Sequence, residues 1–153
     1  SRRMARAIVR RREARPFSST VELASFVEET LGRRGAHHPA TRVFQALRMA
    51  VNDETGALRR ALEGAAEVLR RPGGRLAVIT FESLTDRIVK QFMVAHAGRE
   101  VSLQEGGSRW AGTPPRMRRI NSHPTRPSAA EVAANPRVRS AKLRIAEMAE
   151  EER

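Results

Sequence analysis

The chain has 153 residues, a formal net charge of +12 and no cysteine. That length suits one domain with a real core, and the missing cysteines exclude disulfides, thiolate zinc sites and a cysteine nucleophile. The longest apolar run is LAVITF, far too short to span a membrane, and nothing resembles a signal peptide, so a soluble, cytoplasmic protein is expected.

The positive charge is almost all arginine, since Lys90 and Lys142 are the only lysines. Arginine presents a planar fork that fits phosphate and guanine edges, which makes nucleic acid the natural partner. A solvated basic surface is the competing reading. Tyrosine is absent and other aromatics are few, which argues against a stacking platform for single strands.

Four helices are predicted before the first strand. Met4 to Arg12 is periodic, and its small apolar face (Met4, Ala5, Ile8, Val9) cannot anchor a membrane. Ser19 followed by Glu22 is a capping box opening a helix with Leu23, Phe26, Val27 and Leu31 on one face, stopped by Gly32. Pro39 breaks the incoming chain. A third helix then runs from Thr41 to Asp53, its buried stripe formed by Val43, Leu47, Ala50 and Val51. Arg42, Gln45, Arg48, Asn52 and Glu54 lie off that stripe, where such residues can meet phosphates and base edges. Asn52 and Glu54 are also suited to holding the helix down by hydrogen bonds. Leu58, Leu62, Ala65 and Leu69 mark a fourth helix, ending at Pro72-Gly73-Gly74.

Leu76 to Phe81 is continuously apolar and predicts a buried strand. Leu84, Ile88, Val89 and Phe92 space as a helix, completing the rhythm of an α/β sheet. Residues 98–115 are rich in Gly, Ser, Pro and charge and read as a mobile surface loop. Arg118 to Ser122 is a candidate strand. Ser128 with Glu131 caps a short helix ending at Asn135-Pro136, and Leu143 with Ile145 suggests a final half-buried edge strand. Residues 148–153 read as a tail.

Neither glycine pair looks like a cofactor cradle. Gly73-Gly74 precedes a strand instead of following one, and Gly106-Gly107 has no strand before it, so both read as ordinary turns. His37 and His38 are poor metal geometry, and capping or packing suits His38 better than zinc, so no metal is expected. Trp110, alone in the loop, suits packing better than base stacking.

Several strings point further. HPATRVFQALRMAVNDE (His38 to Glu54), PGGRLAVITFESLTDRIVKQFM (Pro72 to Met93) and NPRVRSAKLRIAE (Asn135 to Glu147) occur in the order seen in the bacterial 16S rRNA (cytosine-N4)-methyltransferases, the RsmH/MraW family, which this chain resembles. RRMARAIVRRREARPFSSTVELASFVE resembles the family's upstream helical segment. Whole members are longer, and their front half has no counterpart here.

The resemblance implies an α/β fold: the carboxyl-terminal half of a class I, Rossmann-like, S-adenosylmethionine-dependent methyltransferase with part of a helical insertion. Residues 1–37 would belong to that insertion, 38–147 to the sheet domain and 148–153 to the tail. The strand at Leu76 would be the fifth of the sheet, and the last two strands its closing antiparallel hairpin. The implied function is N4-methylation of a cytidine in 16S rRNA of the small ribosomal subunit, with no membrane or DNA partner. The family's cofactor strings, GGGHS-like and DLGVSS-like, do not occur, so no cofactor-binding residue is assigned, the catalytic residues stay unknown and the isolated chain should be inactive. A non-catalytic RNA-binding module and one half of a split enzyme remain alternatives.

The RNA-facing candidates are Arg42, Arg48, Glu82, Ser83, Arg87, Arg137 and Arg139. Arg137 and Arg139 would share one face if the segment alternates as a strand. The family usually reads FHSLEDR where this chain has FESLTDR, so Glu82 replaces a histidine and Thr85 an acid. Glu82 either faces RNA, where it would repel phosphate, or serves as an acid at a helix N-terminus.

Overall fold

A computed structural model of the chain describes residues 2–33, 38–98, 100–102, 108–110 and 115–150. His37, Gly106-Gly107 and residues 151–153 lie outside the described residues. Contacts divide the chain into two compact units, Ser1–Glu54 and Thr55–Arg153. Among the described residues no helix is long and apolar enough to cross a membrane.

The first unit holds α1 (Arg2–Ala14), α2 (Thr20–Leu31) and α3 (Ala40–Val51). Met4, Leu23, Val27 and Ala40 are buried together, with Ile8, Phe17, Phe26, Val43 and Phe44 packed around them. The pairs Met4/Ile8 and Leu23/Val27 are four residues apart, so each helix turns one apolar edge inward. Because Ala40, Val43 and Phe44 share this core, α3 groups with α1 and α2. The contact boundary therefore falls after Glu54, while the sequence places it after residue 37.

The caps follow the local chemistry with one shift. Ser19 accepts a hydrogen bond from the Glu22 amide at 3.1 Å. The Glu22 carboxylate reaches back to Ser18, not to Ser19, at its amide (2.8 Å) and hydroxyl (2.9 Å). It also pairs with Arg11 at 2.7 Å, tying α1 to α2. The Ser18 hydrogen bonds hold the Glu22 carboxyl below its usual value. His38 caps α3: its Nδ1 accepts from the Ala40 amide at 3.2 Å while Nε2 faces Glu28 at 3.2 Å. That pair of partners places the proton on Nε2.

Of the stripe expected on α3 only Val43 packs into the core. Leu47 is 43 % exposed and Val51 82 %, while Ala40 and Met49 are the buried positions. Periodicity located the helix but not the side that its tertiary partners cover.

The second unit contains α4 (Glu54–Val68, entering from the first unit), β1 (Arg75–Thr80), α5 (Ser83–His96), β2 (Glu100–Ser102), β3 (Ser108–Trp110), β4 (Met117–Arg119), α6 (Ala129–Ala134), a 3₁₀ helix (Pro136–Ser140) and β5 (Lys142–Met148). One sheet has the order β1-β5-β4, with both pairings antiparallel. Leu62 and Ala66 of α4, Ile88, Val89 and Met93 of α5, Met117, Ala146 and Met148 form its core.

Four expectations are corrected here. β1 is not buried on both faces: Leu76, Val78 and Thr80 turn inward, but Ile79 is 60 % exposed. The last strand is not an edge, because six residue pairs join it to β1 while β4 takes its other side. That strand also reaches Met148, which is 2 % exposed, so the tail begins after it. Within residues 98–115, expected to be loop, β2 and β3 pair as a hairpin with Glu100 opposite Trp110. Composition hides short strands whose stability comes from pairing.

Glycine is needed where the α4–β1 turn closes. Gly73 sits at φ +92°, and a Cβ on Gly74 would lie 2.5 Å from the Arg70 carbonyl oxygen. The Gly73 amide donates to Met148 and the Gly74 amide to Arg70, so this glycine pair builds a turn. On the outer face of the sheet, Glu147 pairs with Arg75 of β1 (2.8 Å) and Arg118 of β4 (2.9 Å), stapling three strands.

Candidate nucleic-acid interface

Strand register brings distant segments of the second unit to one edge of the sheet. Thr80, the last residue of β1, stands opposite Lys142, the first of β5. Glu82 and Ser83 follow at the start of α5, and the 3₁₀ helix leads directly into Lys142. On the other side of β5, Thr125 and Leu143 exchange two backbone hydrogen bonds of 2.9 Å. The edge beyond the carboxyl end of a strand is where α/β sheets place ligands.

Asp86 fixes this edge. Its carboxylate accepts from Arg144 Nε at 2.7 Å and Nη2 at 3.3 Å, and from Lys142 Nζ at 3.2 Å. Hydrogen bonding from Arg144, joined by Lys142, holds the Asp86 carboxyl below the usual aspartate range against the opposing cost of burial. This fork locks the first turns of α5 to β5, and it was missed in the sequence. The signal was strand alternation, because Arg144 shares the inward face with Ala146 and Met148. The Thr80 hydroxyl is buried at the same edge with no hydrogen-bond partner among the described residues.

The candidates then separate. Glu82 is the N-cap of α5 in an extended conformation, half-buried, and makes no side-chain cap hydrogen bond. Ser83 and Arg87 are exposed, four residues apart and so on one face of α5. Arg137 and Arg139 are exposed too, but they do not alternate along a strand. Asn135 accepts from the Arg137 amide at 3.1 Å and Pro136 opens a 3₁₀ turn, so three residues per turn make the two side chains diverge.

In the first unit, Arg42 is exposed on α3 with no ion-pair or hydrogen-bond partner among the described residues. Arg48 is clasped by Glu54 through Nε at 2.7 Å and Nη2 at 3.2 Å. That contact holds the Glu54 carboxyl below its usual value. Glu54 thus satisfies Arg48, a role that its expected part in anchoring the helix did not include.

Among the described residues no group of three His, Cys, Asp or Glu side chains is placed to hold a metal. The edge is a basic surface around a fork in which one carboxylate holds two cations, suited to receiving a polyanion.

Residues 1–149 match the family profile described as the MraW methylase family. The chain belongs to that family. It is 52 % identical to the ribosomal RNA small subunit methyltransferase H of Caulobacter vibrioides, over 95 % of this chain and 48 % of the relative. It is 54 % identical to the protein of the same name from Beijerinckia indica, over 95 % of this chain and 41 % of the relative. The protein so named from Hyphomonas neptunium is 50 % identical, with 43 % of its length covered. The chain thus spans about half or less of these relatives. In this MraW-family chain, the edge residues lie within the matched region.

Proposed function

We propose that this chain is the carboxyl-terminal half of an S-adenosylmethionine-dependent methyltransferase that modifies N4 of a cytidine in 16S rRNA, in the cytoplasm, as part of the complete enzyme. The observation that carries the proposal is the family match over residues 1–149 joined to a basic sheet edge. The strand order supports a Rossmann-like half-sheet. β5 runs antiparallel between β1 and β4, as expected of a closing hairpin beside a fifth strand. Among the described strands β1 has a neighbour on one side only, and Ile79 on it and Phe81 just after it remain exposed, which suits a sheet continued by further polypeptide.

The described residues do not fit the cofactor. The only described adjacent glycine pair spends its amides on Met148 and Arg70, and it lies before β1. In this reading most of the cofactor's site is supplied by the amino-terminal half of the complete enzyme. What the second unit offers is orientation of RNA, with Arg87, Arg137 and Arg139 for phosphates and Ser83 and Glu82 at the strand end; the first unit, taken by itself, offers Arg42 for phosphate. An exocyclic cytidine amine is a poor nucleophile, so holding it in line is a large part of the task.

The test joins the amino-terminal portion of the Caulobacter vibrioides relative to this chain and measures methyl transfer to small ribosomal subunits lacking the modification. Incorporation at cytidine N4, absent with either half alone, is the expected result. A fused protein that binds the cofactor and RNA but methylates another atom would overturn the assignment. RNA binding without any methylation by the fusion would favour a non-catalytic module.

A further inference from the structure

The loop between β4 and α6 carries an arginine that the motifs leave aside. Arg126 follows Thr125, whose two backbone bonds to Leu143 bind the loop to β5. Asn121 ties the same loop down, donating to the Leu143 carbonyl at 2.9 Å and accepting from the Ile145 amide at 2.9 Å. Proline at positions 124 and 127 restricts the backbone on both sides. One step further along this antiparallel register lies Lys142, so Arg126 sits beside β5 at the edge where Thr80 faces Lys142 from the other side.

Charge pairing separates Arg126 from most of its basic neighbours. Arg116 is taken by Glu67, Arg118 by Glu147, and Lys142 and Arg144 by Asp86. Glu131, an acid of the same lobe, is held in the Ser128 capping box. Arg126, Arg137 and Arg139 are exposed and have no partner among the described residues. A mounted arginine without a counterion loses little backbone freedom on binding and offers a planar fork to a phosphate.

We propose that Arg126 is a further RNA-backbone contact, forming with Arg137 and Arg139 a basic rim along the carboxyl edge of β1. This rests on the RNA-methyltransferase reading and adds a residue to its substrate surface. The occupant is a phosphodiester strand, because the rim offers three exposed planar fork donors that have no counterion among the described residues.

The test measures binding of the 153-residue chain to a 16S rRNA fragment across a salt series. Arg126→Gln should weaken binding about 3- to 10-fold near 50 mM salt and lower the salt slope by about one unit, the signature of one lost phosphate contact. Arg126→Lys should recover most of the slope, and thermal melting should not change for either variant. Arg12→Gln removes one exposed charge from α1 and should have a much smaller effect. Equal losses for Arg126→Gln and Arg12→Gln, or no loss for Arg126→Gln while the unaltered chain binds, would overturn the rim alone. Failure of the unaltered chain to bind RNA would bring down the rim together with the RNA-facing reading.

Discussion

Arg144 and Asp86 meet across 58 residues of sequence in a two-pronged, buried ion pair, 2.7 and 3.3 Å long. A buried charge that loses its partner is costly, whereas the intact pair contributes mainly order. Its position at the start of α5 makes it the hinge pin of the candidate interface.

Removing the acid should therefore be severe. Asp86→Ala is expected to destabilise the second unit by about 3 kcal/mol or more in urea unfolding, because Arg144 stays buried and unpaired. The carboxyl is depressed in the folded protein, so its contribution is fully present above the unfolded value near about pH 4. It fades as pH falls towards the lower folded value. Stability of the native chain should drop in that acid window, and Asp86→Asn should flatten that part of the profile. An unchanged profile would show that the pair does not set acid stability.

Two glycines should respond oppositely to alanine. Gly64 lies inside α4 with open space around its Cβ position, so Gly64→Ala should stabilise by about 1 kcal/mol. At Gly74 the new Cβ would strike the Arg70 backbone, so Gly74→Ala should lower the melting temperature. Melting curves of the two variants decide the matter, and a neutral Gly74→Ala would mean that the turn can relax.

Titrating the chain alone with S-adenosylmethionine should give no saturable heat at micromolar concentration. The reason is that the Gly73 and Gly74 amides are already bonded, to Met148 and Arg70. Tight one-to-one binding would require a cradle built from other groups.

The two arginines of the α3 motif should differ. Arg42→Gln is expected to weaken RNA binding several-fold, while Arg48→Gln does less because Glu54 already neutralises that guanidinium. Glu54→Gln should tighten binding by removing a negative charge beside Arg48. If Arg48 proves the stronger contact, RNA must displace Glu54.

Glu82 is best tested in the enzyme made whole by fusion. If it faces RNA, Glu82→His should tighten substrate binding by removing one like charge, an effect of about 1 kcal/mol at low salt that shrinks as salt rises. Unchanged affinity at low salt would rule out the RNA-facing role.

The sequence by itself determined what depends on near neighbours and on motif strings. The Ser128–Glu131 box, the His38 cap, the Gly32 stop and the ordinary Gly73-Gly74 turn are local chemistry, and the structure contains each of them. The strings from His38 to Glu54, Pro72 to Met93 and Asn135 to Glu147 carried the family. Tertiary structure alone decided which face of α3 is covered, that β5 is central, and which arginines are free. In the sequence Arg137, Arg139 and Arg144 look alike. Pairing of β5 with β1 turns Arg144 inward onto Asp86, while a proline-led 3₁₀ turn leaves Arg137 and Arg139 in solvent. A residue's charge is fixed by its identity, but its partner is chosen by strand register, and register is a property of the whole sheet.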